Sequence, residues 1–353
     1  MDQEIDHHQA KRLKITNPSI EFLRGQTIGH GSFAKVSLAK TASSKNSCNL
    51  PSIVAVKSCG VSHMASLAKE RMVYEELKDC PEIVKCYGDS YTVEKGEKLY
   101  NVVLEYACGG SLAERVKNGL KMVECDVRKY LKSVLKGIKF VHDKGFVHCD
   151  VKLQNVLVFD GGVVKIADFG LAKKVEEKKA TCEYEVRGTP LYLAPETVVG
   201  GVQEPASDIW AVGCLVSEMV SGLPAWTCAD VSSLLMKIGV GAETPEIPGG
   251  LSDAGKDFLG KCFVKDPSKR WTAEMLLDHP FVKGEDCATS VSPRDPFDFP
   301  DWEMDQSVPV TPESDCWIAG VTRVLPEDRL RQLATTVGER PSWFDESGWI
   351  TVR

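Results

Sequence analysis

The chain has 353 residues, 43% of them hydrophobic, which is enough for one large domain or two small ones around a buried core. Its net charge of −7 sits at the C-terminal end, where residues 283–353 carry 7 Lys and Arg against 14 Asp and Glu. The preceding body is therefore neutral, without the basic excess of a nucleic-acid-binding surface, and no apolar run reaches membrane-spanning length.

The best membrane candidate, residues 209–220, is short and broken by Gly213 and Glu218. The opening M-D-Q-E-I-D-H-H is polar and acidic, unlike a secretory signal. The 13 cysteines are scattered without a C-x-x-C pair, as expected of thiols kept reduced in the cytosol.

Residues 1–21 read as a polar arm with one short basic cluster, Lys11-Arg12-Leu13-Lys14. Ile28-Gly29-His30-Gly31-Ser32-Phe33-Ala34-Lys35-Val36 is a glycine-rich turn whose backbone N–H groups can approach phosphate oxygens. It runs into a strand-like stretch at 36–39, and others follow at 53–56 and 102–105. The Ser-, Asn- and Lys-rich stretch 41–52 predicts a surface loop. Helical periodicity covers 65–77, 111–119 and 123–144, the last with Val127, Leu131, Val134, Leu135, Ile138 and Val141 along one face. Further helices are predicted over 204–221, 232–238, 252–263 and 272–277. Strands first and helices later predict an α+β fold, with a small β-rich lobe followed by a larger helical lobe.

Regularity ends after Phe281. The stretch 283–353 mixes proline with acidic residues and holds Trp302, Trp317, Trp343 and Trp349, four of the seven tryptophans. Disordered spacers are poor in aromatics, so this acidic segment reads as a docking or self-regulatory tail whose tryptophans pack into a groove on the preceding domain or on a partner.

The chemistry is concentrated in residues 147–155, V-H-C-D-V-K-L-Q-N, and in Asp168-Phe169-Gly170. One aspartate, Asp150, can orient an attacking hydroxyl, and Lys152 can neutralise a phosphoryl group in flight. Asn155 and Asp168 can hold Mg²⁺ against phosphates. Other motifs stand around this pair. Val54-Ala55-Val56-Lys57 puts a lysine on a strand, and residues 103–111 run V-L-E-Y-A-C-G-G-S. Residues 187–196 read R-G-T-P-L-Y-L-A-P-E, 207–213 S-D-I-W-A-V-G, and 265–270 K-D-P-S-K-R.

In this order and spacing, from Phe22 to about Val282, these motifs resemble the eukaryotic protein kinase domain. The resemblance implies a catalytic domain at 22–282 that binds ATP and Mg²⁺ in a cleft. The glycine-rich turn would cover ATP, with Val36 over the adenine and Ala34 in place of the family's third glycine. Lys57, on the strand that also carries Ala55, would hold the α- and β-phosphates and pair with a helix glutamate, Glu70 before Glu75 or Glu76. Leu104 would gate the pocket, and the backbone of Glu105 and Ala107 would meet the adenine edge. Asp150 becomes the proton acceptor, Lys152 the γ-phosphate contact, and Asn155 and Asp168 the metal ligands. His148 would brace the loop from within and His142 would pack. Thr189 would tie Asp150 to Lys152, Glu196 would form a buried ion pair with Arg270, and Asp208 would brace the catalytic loop. Thr181 and Tyr184 are the candidate phosphosites.

One departure stands out. The family usually has arginine before the catalytic aspartate, and here the residue is Cys149. A cysteine offers neither the charge nor the fork with which arginine grips an activation-loop phosphate. This non-RD pattern implies activity that depends weakly on loop phosphorylation, unless Lys173, Lys174 or Arg187 takes over.

Lys152 and the G-T-P before A-P-E are similar to Ser/Thr rather than Tyr kinases. The segment 188–196 is similar to the MEKK-type MAP kinase kinase kinases, and S-P-R-D-P-F-D-F-P at 292–300 to their short plant members. That resemblance implies MAP kinase kinases as substrates, stress or hormone signalling, and a cytoplasmic and nuclear location. A pseudokinase scaffold in such a cascade is the alternative, opposed by the presence of Lys57, Asp150, Asn155 and Asp168. A small-molecule kinase is opposed by the A-P-E segment, Asp208 and Arg270.

Overall fold

The computed structural model describes residues 20–31, 33–41, 50–175, 186–241, 243–284 and 350–352. The N-terminal arm to residue 19, Ser32, Thr181, Tyr184 and the tail tryptophans lie outside the described residues.

The first lobe is a twisted antiparallel sheet with one helix. Its strands are β1 (Phe22–His30), β2 (Lys35–Thr41), β3 (Ile53–Gly60), β4 (Cys86–Glu94) and β5 (Glu97–Glu105), with helix α1 (Met64–Glu76) between β3 and β4. The spatial order is β1-β2-β3-β5-β4. A sixth strand, β10 (Ile350–Val352), pairs antiparallel with β1 through Phe22↔Val352 and Arg24↔Ile350. The irregular tail expected from the sequence therefore ends in a strand of this sheet. β1 carries no apolar alternation, because its inward positions are Phe22 and Arg24. Arg24 is satisfied by Glu94 at 2.9 Å and by Asn101 at 2.8 Å, so the sheet curls far enough to join β1 to β4 and β5. β4 lacks an apolar alternation for a related reason. Its buried positions are Gly88, Ser90 and Thr92, polar or side-chainless rather than aliphatic.

The second lobe is helical. In chain order it contains α2 (Leu112–Arg115), α3 (Glu124–Asp143), the short strands β6 (Phe146–Val147), β7 (Val156–Val158), β8 (Val164–Ile166) and β9 (Lys173–Lys174), then α4 (Pro195–Gly200), α5 (Pro205–Ser221), α6 (Val231–Gly239), α7 (Asp253–Cys262), α8 (Ala273–Leu277) and α9 (Pro280–Lys283). The helix expected over 111–119 is shorter. Val116 leaves the helical region, and a 3-10 turn at Lys117–Gly119 follows. The predicted stripe of α3 is buried throughout, and it packs on α5, α8, α9 and β8. Helix α5 is apolar on nearly all sides, with Trp210 fully buried, as befits a central helix. Pro205 opens it and Gly222, in the left-handed region at φ 73°, closes it.

The tie between the α4 segment and the α7–α8 connection is electrostatic. The Arg270 side chain is fully buried and forks onto Glu196 at 2.7 and 3.0 Å, while also donating to the carbonyls of Val264 and Ala206. Its guanidinium lies over the Trp210 ring. Removing one partner of such a pair strands the other charge. Arg270→Ala is expected to lower the unfolding free energy by about 3–5 kcal/mol, and Arg270→Ala/Glu196→Leu to recover part of that loss. Equilibrium denaturation of the two variants checks this.

Candidate active site

The site is built where the two lobes' local structures place charged groups that burial alone would reject. On β3, Lys57 is flanked by buried Val54, Ala55 and Val56. On α1, Leu67, Glu70, Val73 and Tyr74 form the buried face, so Glu70 points at the sheet. Lys57 Nζ donates to both Glu70 oxygens, at 2.7 and 2.8 Å, and to Asp168 Oδ1 at 2.9 Å. Burial works against the Lys57 charge, but the two carboxylates outweigh it and hold the ammonium above its ordinary value. Asp168 shows the balance from the other side. Burial pushes it up, and Lys57 brings it below the ordinary carboxylate value, so it stays ionised. The fallback partners do not compete. Glu75 pairs with Lys78, and Glu76 is exposed.

The glycine-rich turn joins β1 to β2, where the strand register is irregular between Thr27 and Gly29. Gly31 N–H donates to the Ala34 carbonyl, which closes the turn. Ile28 and Phe33 are exposed, and the Phe33 ring stacks on His63. Val36 stands opposite Lys57, and Ala55 opposite Leu104, across adjoining strands. His30 and Lys35 are paired at the base of the turn. Glu105 bonds Lys165 through its side chain at 2.7 Å, and its backbone N–H donates to the Lys85 carbonyl. Beyond Ala107, the Gly109 N–H donates to the Val158 carbonyl, and a Cβ at Gly109 would come within 2.9 Å of that oxygen.

The catalytic-loop candidates converge on Asp150. Its Oδ1 accepts from the Thr189 hydroxyl at 2.8 Å and the Thr189 N–H at 3.0 Å. Its Oδ2 meets Lys152 Nζ at 2.7 Å and Asn155 Nδ2 at 3.1 Å. Lys152 also donates to the Thr189 hydroxyl at 2.9 Å, so Thr189 links the aspartate and the lysine. Gly188 lets this segment approach. At φ 108°, a Cβ there would lie 2.4 Å from the Cys149 carbonyl oxygen.

Behind the loop, the buried Asp208 accepts from the backbone N–H of His148 at 2.9 Å and of Cys149 at 3.0 Å. Its Oδ2 also bonds His142 Nε2 at 2.8 Å. His142 keeps the structural role expected of it and adds a polar bond to its packing. Burial would raise the Asp208 pKa, but the His142 bond and the backbone N–H groups hold it below the ordinary value. His148 is fully buried, accepts from the Asp150 N–H at 3.2 Å and packs on the Phe169 ring. Cys149 is buried at φ 66°, and burial pushes its thiol up to about 12, so it is not a nucleophile.

Sequence reasoning missed Tyr74 and the Tyr192–Glu218 hydrogen bond beneath the 190–192 turn. The signal for Tyr74 was available, since it follows Glu70 by one helical turn. Among the described residues there is no cluster of three or more metal-ligating side chains, and no helix is long and apolar enough to cross a membrane.

The protein kinase domain family model matches residues 22–282. Mitogen-activated protein kinase kinase kinase 20 of Arabidopsis thaliana is 46% identical over 357 residues, covering 95% of this chain and all of its own length. Mitogen-activated protein kinase kinase kinase 18 of the same plant is 37% identical over 352 residues, with 95% and 99% covered. Number 17 is 41% identical over 269 residues, with 74% and 70% covered. The chain belongs to the protein kinase family and, within it, to the mitogen-activated protein kinase kinase kinases. It is a Ser/Thr protein kinase.

The Asp208 anchor has a pH signature. Asp208→Asn loses charge-assisted bonds and is expected to cost about 2–3 kcal/mol of stability near neutral pH. The depressed folded-state value means that the carboxylate's contribution is complete above the ordinary aspartate range. It is lost as pH falls through the folded value, so the gap between wild type and variant narrows in acid. Urea unfolding at neutral and successively lower pH reads this directly; a gap that widens in acid contradicts it.

Proposed function

We propose that this kinase transfers the γ-phosphate of ATP to a Ser or Thr hydroxyl of a MAP kinase kinase. The observation that carries the reading is the intact pairing of two charge sets, Lys57–Glu70–Asp168 and Asp150–Lys152–Thr189. The relatives' names supply the substrate class. Asp150, held at both oxygens, orients the substrate hydroxyl and takes its proton as the new O–P bond forms and the bond to ADP breaks. Lys152 neutralises the phosphoryl group as it passes. Lys57, fixed by Glu70, grips the α- and β-phosphates beneath the glycine-rich turn of residues 28–36. Leu104 gates the adenine pocket walled by Val36 and Ala55, and the backbone of Glu105 and Ala107 meets its edge.

The donor set fits a hard divalent ion. Asp168 is ionised with its side chain 47% exposed, and the Asn155 amide nitrogen is committed to Asp150, which leaves the amide oxygen as the ligand atom. Asn155 and Asp168 would hold Mg²⁺, which when bound would offset charge on the phosphate oxygens. Nothing in the geometry favours a pseudokinase scaffold, since Lys57, Asp150, Asn155 and Asp168 all hold partners.

Cys149 gives the regulation. Its backbone is held by Asp208; Lys174 lies over the Phe146 ring, Arg187 bonds the Leu171 carbonyl, and Lys173, whose charge acts on the Cys149 thiol, offers a phosphate a point charge without arginine's fork. Basal activity therefore depends weakly on phosphate at Thr181 or Tyr184. The acidic tail is the second point of control, as a docking or self-regulatory segment.

Three measurements test these assignments. Lys57→Met, Asp150→Asn and Asp168→Asn should each cost at least about 3–4 kcal/mol of transition-state stabilisation in a radiolabelled-ATP assay on a MAP kinase kinase, with the native fold retained by circular dichroism. An Asp168→Asn enzyme with near-wild-type turnover overturns the reading. Phosphatase treatment and Thr181→Ala/Tyr184→Phe should each reduce activity by less than about a hundredfold, roughly 2.7 kcal/mol. Truncation after Val282 should change activity or substrate capture; equal values in both, with the tail digested at the same rate with and without substrate, make the tail a passive linker.

A further inference from the structure

Phe33 stands on the glycine-rich turn with 64% of its surface exposed, so burial does not fix the place of its ring. A neighbour does. The ring lies against His63 with centroids 5.0 Å apart and planes at 23°, a stacked pair. The two come together through the sheet. β3 ends at Gly60, and a 3-10 turn, Val61–His63, leads into α1. Lys35, the first residue of β2, pairs with Ser58 near the end of β3, which brings the glycine-rich turn beside this connection. His63 holds the N-cap position of α1, where a side chain usually accepts from the first free backbone N–H groups. It makes no such bond. The Ser62 hydroxyl lies 3.0 Å from His63 Nδ1 and orients the ring. The start of α1 thus forgoes a side-chain cap, and its histidine serves the stack.

We propose that His63 is a positioning residue for the nucleotide: it clasps Phe33 and so holds the glycine-rich turn over the phosphates. The inference rests on the reading of residues 28–36 as the cover of ATP. Within the turn, one backbone bond, from Gly31 N–H to the Ala34 carbonyl at 2.8 Å, closes the loop, and Ala34 packs partly buried against the core. The stack adds a restraint from outside the turn. A turn held at its strands and again at Phe33 keeps its N–H groups directed at one place, so less freedom is lost when nucleotide binds. Release is affected as well, since the turn must lift for nucleotide to leave, and lifting it breaks the stack. Both rings are exposed, and an aromatic pair of this kind changes an equilibrium by about twofold to tenfold, so the clasp tunes affinity.

Binding of Mg·ADP to the full-length protein, read by calorimetry and by the dissociation rate of a fluorescent ADP analogue, tests the clasp. His63→Ala is expected to weaken binding about threefold to tenfold, with most of the loss in faster dissociation. His63→Phe keeps a ring in place and should bind within about twofold of wild type. Phe33→Ala should match His63→Ala, and the double variant should be no weaker than either single one, because the same contact is lost only once. Equal binding by wild type and His63→Ala overturns the proposal. Additive losses in the double variant also overturn it, as does a His63→Phe protein as weak as His63→Ala; either makes His63 a part of the α1 terminus alone. Should His63→Ala fold poorly, the other two variants decide. Phe33→Ala weakened with His63→Phe intact supports the clasp, and Phe33→Ala binding like wild type overturns it. The nucleotide reading fails separately: wild-type protein that does not bind Mg·ADP removes the site itself, whereas wild type and His63→Ala that bind equally well remove only the clasp.

Discussion

The catalytic loop depends on one buried carboxylate. Asp208 stands on the central helix α5 and spends its oxygens on two successive backbone N–H groups and a histidine ring. A loop carrying an aspartate, a lysine and an asparagine within six residues could pair those groups with one another or with water in several ways if left to itself. With its backbone pinned at His148 and Cys149, Asp150 arrives at one position, where Thr189, Lys152 and Asn155 meet it. Burial disfavours the Asp208 charge, yet the hydrogen bonds keep it ionised. An uncharged residue of the same shape would lose those charge-assisted bonds.

The cleft above is organised differently. Lys57, Glu70 and Asp168 come from a strand, a helix and a loop that have no local reason to meet. Attraction outweighs desolvation at Lys57 and at Asp168, whereas at the deeply buried Glu70 desolvation wins and holds its pKa above the ordinary carboxylate value. This makes the arrangement sensitive to the position of α1, whose buried face carries Glu70 and Tyr74 together. The lower site is fixed by a helix in the middle of a lobe, and the upper one by a helix on its flank.

Cys149 follows from the same anchoring. An arginine at this position adds a phosphate receptor, but the backbone is held by Asp208 whatever the side chain is. A buried thiol with its pKa pushed up to about 12 fills the space without adding charge. Its neighbours Asp150 and Thr189 therefore keep their contacts in the absence of an arginine.

Motif residues were legible in the sequence because their spacing is set by local chemistry. Asp150, Lys152 and Asn155 share one loop, and Lys57 sits in an aliphatic strand. Pro195-Glu196 and Arg270 announce themselves by type. The α3 stripe was readable because 3.6-residue periodicity needs no partner to be visible. β1, β4 and β10 were not readable, since their inward residues are Arg24, Ser90 and Thr92, or come from a segment whose composition signals a tail. Polar residues become interior only when strands 70 or more positions apart bring partners, as Glu94 and Asn101 do for Arg24. The choice of Glu70 over Glu75, the polar role of His142 and the Tyr74 contact to Asp168 were likewise decided by packing. The sequence by itself determined which chemical groups exist and the order in which they occur. The tertiary structure decided which of them share a charge, because burial makes an unpaired polar group costly and only long-range contacts can pair it.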